Sequence, residues 1–395
     1  MKGTALVVPL ERRNMKDKLR IALFCHSLVS DWNHGNVHFL RGLMGELVRM
    51  GNQVRCYEEL GSWSLTNLMK FEGERAIDAI DNFRQSYPEL DIRFYNSREN
   101  FQQFIQEELK ETDVVLLHEW NDPFVVNSVL ALKKNYKFIA LLHDTHHRAY
   151  TRAAEILKFH LHLVDGVLAF GEAIRRIYQD GFGVSRAWVF HEAADVNRFK
   201  PLPHTKNIDV IWIGNWGDEE RTRELQEFLI QPATTLDRKR VVAHGVRYSD
   251  SALQQLQEAG IEYRGYLPNL SSPEAYAQSL VTLHVPRQQY VNGLCGIPTI
   301  RVFEALACGI PLVCSPWQDA ENLFHPGKDY LVVRDGKEMA AQLRFLLADE
   351  KARRQIAEHG IKTVRERHTC AHRAQQLISI CQEVASSFKP AKIFA

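Results

Sequence analysis

The 395-residue chain is 45% apolar and 25% charged, an ordinary balance for a folded protein long enough for two domains. Its net charge of +1 makes no electrostatic case for nucleic acid, and seven cysteines without a C-x-x-C pair argue against a disulfide framework or a structural zinc site and fit a reducing compartment. No apolar run is long enough to span a bilayer, and residues 1–18 carry charges where a signal peptide has its apolar centre, so a cytoplasmic protein with at most peripheral membrane contact is expected.

Residues 1–18 read as an N-terminal extension. Residues 19–25, LRIALFC, form an apolar run expected as a strand, and the polar loop SLVSDWNHGN leads into a periodic segment over 37–50 with Phe39, Leu40, Leu43 and Leu47 on one side. Gly35 and Asn36 stand where that helix begins, where backbone N–H groups either meet a phosphate or sugar hydroxyl or simply make a β–α turn. Apolar runs recur at VRCYEE, DIRFYN, DVVLLHEW, KFIALLHD and DGVLAFG, each separated from the next by helix-like sequence. This repetition predicts a parallel sheet with right-handed crossovers, whose ligands bind at the carboxyl ends of the strands. Polar residues collect at those ends: His118 and Glu119 after the fourth run, and the cluster His143, Asp144, Thr145, His146 and His147 after the fifth. His143 and Asp144 are the candidates for taking a proton from a hydroxyl. The alternatives are a metal set of His118, His143 and His146, which matches no known zinc spacing, or polar residues that merely cap strand ends.

A short run over 188–192 is followed by Asp195, Phe199 and KPLPHTKN. Two prolines and few apolar residues mark 201–207 as a linker between a first domain over 19–200 and a second over 208–370. The alternation then restarts, with strands expected over 210–214, 241–246, 262–267 and 281–286. Gly214, Asn215, Trp216 and Gly217 read as a turn, and Asp218, Glu219 and Glu220 enrich the helical turn after it. Arg247 and Arg287 each follow a strand and either meet an anionic ligand or are solvated. A last strand, YLVV, precedes helical sequence from Lys337 to about Ser387, and a final helix over 371–395 needs a surface to bury Leu377, Ile378, Ile380 and Cys381.

Within the second half, residues 298–324 (PTIRVFEALACGIPLVCSPWQDAENLF) read as helix, tight turn, buried strand and polar loop. Pro298 and Thr299 are helix-start signals and Gly309 a stop. Val302, Phe303 and Leu306 share the core side, while Arg301, Glu304, Ala305 and Cys308 share a narrow side that a ligand could approach. A helix starting at the mouth of a parallel sheet offers free N–H groups to phosphate. Glu304, one turn in, would repel phosphate; it suits the hydroxyls of a ribose, or else pairs with Arg301.

The pattern Arg301, Phe303-Glu304-Ala305, Ala307-Cys308-Gly309, Pro311, Glu321, Leu323-Phe324, Pro326-Gly327 and Asp329 resembles the donor-nucleotide motif of the group 1 GT-B glycosyltransferases, in particular the spore-maturation-protein-like glycosyltransferases. The resemblance implies an α/β, GT-B fold of two facing Rossmann-like domains with an interdomain cleft and C-terminal helices crossing back onto the first domain. It implies transfer of a sugar from a nucleotide-diphosphate-sugar co-substrate, with no permanently bound cofactor and no metal, to an acceptor that is a glycan, a lipid-linked glycan, a protein or a small molecule. Glu304 would then contact the ribose, and the backbone of Gly296, Ile297, Pro298 and Thr299 the phosphates. Gly214, Asn215 and Arg301 would stand on the donor side, Arg287 or Arg247 would neutralise the diphosphate, and Tyr266, Leu267 and Pro268 would frame the base. Gly35, Asn36, His118 and Glu119 would face the cleft. Many retaining members carry a second acidic residue eight positions before the glutamate; here that position is Gly296, and a catalytically degenerate GT-B protein that binds without turnover is the alternative.

Overall fold

Strands with apolar side chains on both faces are stable only between two helical layers, and both halves of the chain are built that way. The computed structural model describes residues 18–217 and 221–387; the extension read up to residue 17, the acidic turn of Asp218, Glu219 and Glu220, and the tail from 388 lie outside the described residues. The first sheet holds β1 (Arg20–Phe24), β2 (Gln53–Glu59), β3 (Asp91–Tyr95), β4 (Val114–His118), β5 (Ile139–Asp144), β6 (Gly166–Ala169) and β7 (Ala187–Val189) in the order β3-β2-β1-β4-β5-β6-β7. The second holds β8 (Ile208–Ile213), β9 (Val241–His244), β10 (Ile261–Tyr263), β11 (Ser279–His284), β12 (Leu312–Cys314) and β13 (Leu331–Val332) in the order β10-β9-β8-β11-β12-β13. Every pairing between these strands is parallel.

In each sheet the winding reverses once, beside β1 and beside β8. Such a reversal opens a crevice at the carboxyl ends, because the loops on its two sides leave in opposite directions. The loops after β1, β4, β8 and β11 all leave at a reversal and face one another across a single cleft. One boundary differs from expectation with a consequence for that cleft: β10 ends at Tyr263, and residues 264–268 leave the sheet to carry Tyr266 and Leu267 to the wall.

Residues 201–207 have no regular structure and run exposed between the sheets. The helical sequence after β13 divides into Gly336–Ala348, Glu350–Arg367 and Cys370–Ser387, with Asp335 and Asp349 capping the first two through bonds of 2.8 Å to the Glu338 N–H and 2.9 Å to the Ala352 N–H. The third packs on the Val37–Arg49 helix of the first half, burying Leu377, Ile380, Cys381 and Val384. It is stitched to the chain after β7: the Ala194 N–H donates to His368 O and the Cys370 N–H to Ala194 O, each at 2.9 Å, and the Trp188 indole donates to Glu383 at 3.1 Å. One apolar core therefore runs continuously from β1 through the Val37–Arg49, Ile300–Cys308 and Cys370–Ser387 helices to β8 and β12. The seven cysteines are all unpaired, and no helix among the described residues is long and apolar enough to cross a membrane.

Leu377, with 0% exposure, anchors the returning helix. Leu377→Ala is expected to cost about 2–5 kcal/mol and to lower the midpoint of urea unfolding at unchanged slope. An unmoved midpoint would mean that the helix is not docked in solution.

Candidate active site

The cleft encloses about 580 Å³. Its first wall starts from the loop after β1, which is held from beneath by two buried charges. Glu58 on β2 accepts from Ser27 Oγ and the Val29 N–H, both at 2.9 Å, and from the Leu28 N–H. Arg41 donates to the carbonyls of Leu28 at 2.7 Å and Val29 at 3.2 Å. With its backbone so fixed, the loop presents His26, Asp31, Asn33, His34, Gly35 and Asn36 to the cleft. Asn36 Nδ2 reaches Thr145 Oγ1 at 2.7 Å and Thr145 O at 2.9 Å, tying this loop to the one after β5.

The facing wall begins at β8 and β11. Gly214 and Asn215 line it; Asn215 accepts from the Val246 N–H at 2.9 Å and donates to Asn33 of the first wall at 2.5 Å. Gly245 must be glycine, because a Cβ there would lie 2.1 Å from Gly214 O. Arg221 spans the turn, donating to Asn215 O at 3.1 Å and to Val285 O. Arg247 and Arg287 complete the cationic rim.

The Ile300–Cys308 helix starts inside this wall and stops at Gly309, which adopts φ +68°. Thr299 occupies the cap position but gives no side-chain cap; its hydroxyl pairs with His284 Nε2 at 2.9 Å instead. Thr299 and Arg301 line the cleft. Glu304 does not. It is fully buried, its Oε1 accepting from Asn269 Nδ2 at 2.6 Å and its Oε2 from Arg301 Nη1 at 2.5 Å. Both alternatives for Glu304 are thereby changed: the pair with Arg301 forms, but in the interior, and the groups it presents to the cleft are Arg301 and Asn269. Across the domain boundary His38 completes the arrangement. Its Nε2 accepts from the Asp195 N–H at 2.9 Å, so Nδ1 carries the proton, 3.5 Å from Glu304 Oε1.

Gly296, Ile297 and Pro298 are buried behind the wall, so of the expected phosphate segment only Thr299 reaches the cleft. Gly296 adopts φ +94°, and any Cβ there would lie 3.0 Å from Glu321 Cγ. Glu321 in turn accepts from the Glu172 N–H at 3.0 Å and pairs with His191 Nε2 at 2.8 Å, both in the first half. A backbone in the left-handed region under a packed carboxylate explains why this position has no acidic side chain.

His143 and Asp144 are also off the cleft, which corrects their reading as proton acceptors. Successive residues of a strand point to opposite faces, and β5 is covered on both. His143 has 0% exposure and sits among His118, Phe39 and Phe190; Asp144, on the opposite face, accepts from Tyr178 Oη at 2.7 Å and the His146 N–H at 3.0 Å. Burial pushes the His143 pKa down to about 3 and that of Asp144 up to about 6. His118 and Glu119 lie beneath the wall as well, His118 Nε2 against Thr145 Oγ1 at 2.8 Å and Glu119 against Arg148 at 2.9 Å. Among the described residues no group of three or more His, Cys, Asp or Glu side chains is placed to hold a metal ion. Beyond Gly35 and Asn36, the side chains that reach the cleft from this half include His146 of the strand-end cluster and Trp120, each two residues past the end of its strand. They also include His26, Asp31 and His34 in the polar loop and Trp63 from a following helix, which the strand ends do not point to.

Residues 221–379 match the family model described as glycosyl transferase-like. Over 112 residues the chain is 31% identical to the O-antigen chain mannosyltransferase B of Escherichia coli, a match covering 27% of this chain and 28% of that protein. The solved structures it resembles include a glycosyltransferase from Rickettsia africae (TM-score 0.64, 12% identity, 93% of this chain and 99% of the other) and Anabaena HepE in complex with UDP (TM-score 0.66, 13% identity, 92% and 100%). An alpha-glucosyltransferase in complex with UDP and a 13-mer DNA is similar at TM-score 0.63, 11% identity, 93% and 100%. The chain has the GT-B fold, and its residues 221–379 are glycosyl transferase-like.

In this GT-B protein polar side chains join the two domains around the cleft, in addition to the shared apolar core. Asp31 accepts from the Asn269 N–H at 3.2 Å and from Tyr266 Oη while paired with Arg41 at 3.1 Å. Burial is the main cause lowering the pKa of three imidazoles on the first wall: His26 to about 4, His34 and His146 well below the usual value. They are neutral at pH 7.

The buried His143 yields a test of sign. Its folded pKa is depressed to about 3, so the unfolded chain binds the extra proton first, and its contribution to stability is complete above pH 6.5 and lost as the pH falls from there toward 3. His143→Phe should fold, and its stability in urea should decline less steeply between pH 7 and pH 5 than that of the native chain. Equal slopes would place His143 in contact with solvent.

Proposed function

We propose that this chain is a glycosyltransferase that moves a sugar from a nucleoside-diphosphate-sugar donor to an acceptor hydroxyl. The observation that carries the reading is the charge of the cleft. Among its described lining residues are six arginines, Arg148, Arg152, Arg221, Arg247, Arg287 and Arg301, against one carboxylate, Asp31. Four of the six stand on the second wall, around the start of the Ile300–Cys308 helix, whose dipole adds to the positive potential. Cations and a helix start together suit a diphosphate without a metal ion. Glycosyl transferase-like sequence over 221–379 covers Arg221, Arg247, Arg287 and Arg301 alike, and the structural neighbour HepE is in complex with UDP.

In this scheme Arg221, Arg287 and Arg301 hold the diphosphate, and Asn269, whose Oδ1 is buried without a partner, accepts a ribose hydroxyl. Glu304 acts through both as a positioning residue. The acceptor hydroxyl attacks the anomeric carbon, the bond from that carbon to the diphosphate oxygen breaks, and the nucleoside diphosphate leaves with the bonding electron pair. The acceptor's proton passes to the imidazole wall, whose proton affinity rises once the donor brings its negative charge nearby. Gly214 and Asn215 contact the donor, while Gly35 and Asn36 bound the acceptor side.

Thermal melts with UDP, GDP, ADP, TDP and CMP, with and without magnesium, test the donor site. A nucleotide at about a hundred times its dissociation constant stabilises by roughly 2.7 kcal/mol, which raises the melting temperature by several degrees. The expected result is such a rise with one diphosphate, UDP foremost, independent of magnesium and lost in Arg301→Ala. Glu304→Gln, which removes the charge that holds Arg301, should lower affinity about tenfold and the melting temperature as well, because the guanidinium loses its buried counter-charge. If none of the nucleotides shifts the melt, the donor site is wrong; if binding occurs without release of UDP from UDP-sugars over any acceptor, the chain binds without turnover.

A further inference from the structure

The acceptor side of the cleft has a composition of its own. Trp63, 49% exposed, lines the cleft and is braced edge-on by Trp32 at 5.3 Å, which itself stacks on Phe71 at 5.3 Å and 5°. Trp120 lines it as well, with the Arg148 guanidinium 4.6 Å from its ring centre and His146 at 4.9 Å. His26 stands between the two indoles, 6.4 Å from each, with His34 5.4 Å away. His34 is 7% exposed, yet its Nε2 has no hydrogen-bond partner, and the buried Nδ1 of His146 has none either. A buried polar atom left open on a cavity wall is costly unless a ligand or water satisfies it.

We propose that this wall, formed by Trp63, Trp120, His26, His34 and His146, is the acceptor subsite and that it takes a neutral pyranose ring, the terminal sugar of a glycan. The proposal rests on the transferase reading above and names its acceptor class. A pyranose presents C–H groups on its flat faces and hydroxyls around its rim. Indole faces carry negative charge density that attracts the polarised C–H groups, and two indoles on one wall on either side of His26 offer such surface to a flat ring. A neutral imidazole has one donor and one acceptor, which is what a hydroxyl requires; an anion requires donors alone. The three imidazoles are neutral at pH 7 for the reason given above, and the arginines of this wall are already engaged. Arg148 is paired with Glu119 and Glu155, both at 2.9 Å, and Arg152 with Glu155 at 3.7 Å. Four of the six arginines that line the cleft stand on the opposite wall. A lipid chain would use apolar surface instead; the exposed Leu60, Met69, Phe71 and Ile77 are not among the residues lining the cleft.

Saturation-transfer NMR on the full native chain with UDP present tests this directly, using the methyl glycosides of glucose, mannose, galactose and N-acetylglucosamine at millimolar concentration, with decyl phosphate as the lipid-type probe. The expected result is saturation of the ring protons of at least one glycoside, with affinity about tenfold weaker in Trp63→Ala and in Trp120→Ala while the UDP-induced melting shift persists in both. Trp63 is half exposed, so its removal leaves the fold in place. The inference is overturned if no glycoside is saturated while UDP binds, if both variants bind glycoside as the native chain does, or if only decyl phosphate receives saturation. Loss of UDP binding to the native chain as well would take the transferase reading down with it.

Discussion

The buried carboxylate of Glu304 is the interaction on which the arrangement of the site depends. A charge taken out of water is costly unless its lone pairs are filled, and here they are filled by Arg301 and Asn269, with the His38 Nδ1–H facing it from the other domain. The consequence is directional. Arg301 lies in the first turn of a helix, where the dipole disfavours a cation, and Glu304 one turn on holds it there. The guanidinium is presented to the cleft in a fixed position, ready for an anion, while the carboxylate that would repel that anion is shielded behind it. Because His38 comes from the first domain, the same carboxylate also marks where the two domains close.

The second constraint is the burial of both faces of both sheets. A parallel strand covered by helices leaves no face on which a polar side chain meets water, so chemistry is pushed beyond the strand ends. His143 and Asp144 stop just short of that limit: they are still in register with His118 and Ala169 of the neighbouring strands, and each points into a helical layer. His146, only two residues beyond the end of β5, is on the cleft wall. The two walls that result differ in character. The second carries cations and a helix start; the first carries indoles and neutral imidazoles. This asymmetry is what the proposed reading uses, a charged donor on one wall and an uncharged acceptor on the other.

Much of the architecture was legible in the sequence. Thirteen apolar runs, the glycine after the Ile300–Cys308 helix and the polar residues after the strands follow from local rules of propensity, periodicity and turn chemistry. From these the two-sheet α/β fold and the placement of a site at the strand ends can be read. The motif around Glu304 lies on a helix whose start lines the cleft: a carboxylate, an arginine and small side chains on one helical face are a local pattern.

Which member of each pattern reaches the cleft was not local. Glu304 and Arg301 both looked ligand-facing because sequence spacing places both on one helix face, and only Asn269, thirty-five residues earlier and folded against it, shows that the carboxylate is already satisfied. Gly296 looked like a missing acid; its φ of +94° and the side chain of Glu321 above it, held by His191 of the other domain, give the position a packing reason. Trp63 carried no sequence signal beyond being aromatic, and Trp120 none beyond its place after a strand, since their positions are braced by Trp32 and Arg148 across loops distant in the chain. The sequence by itself determined the elements, their parallel direction and the end of the sheets at which the cleft opens, because those depend on neighbours a few residues apart. The tertiary structure alone decided which side chains line the cleft and which are buried behind it, because that depends on contacts between segments from opposite domains.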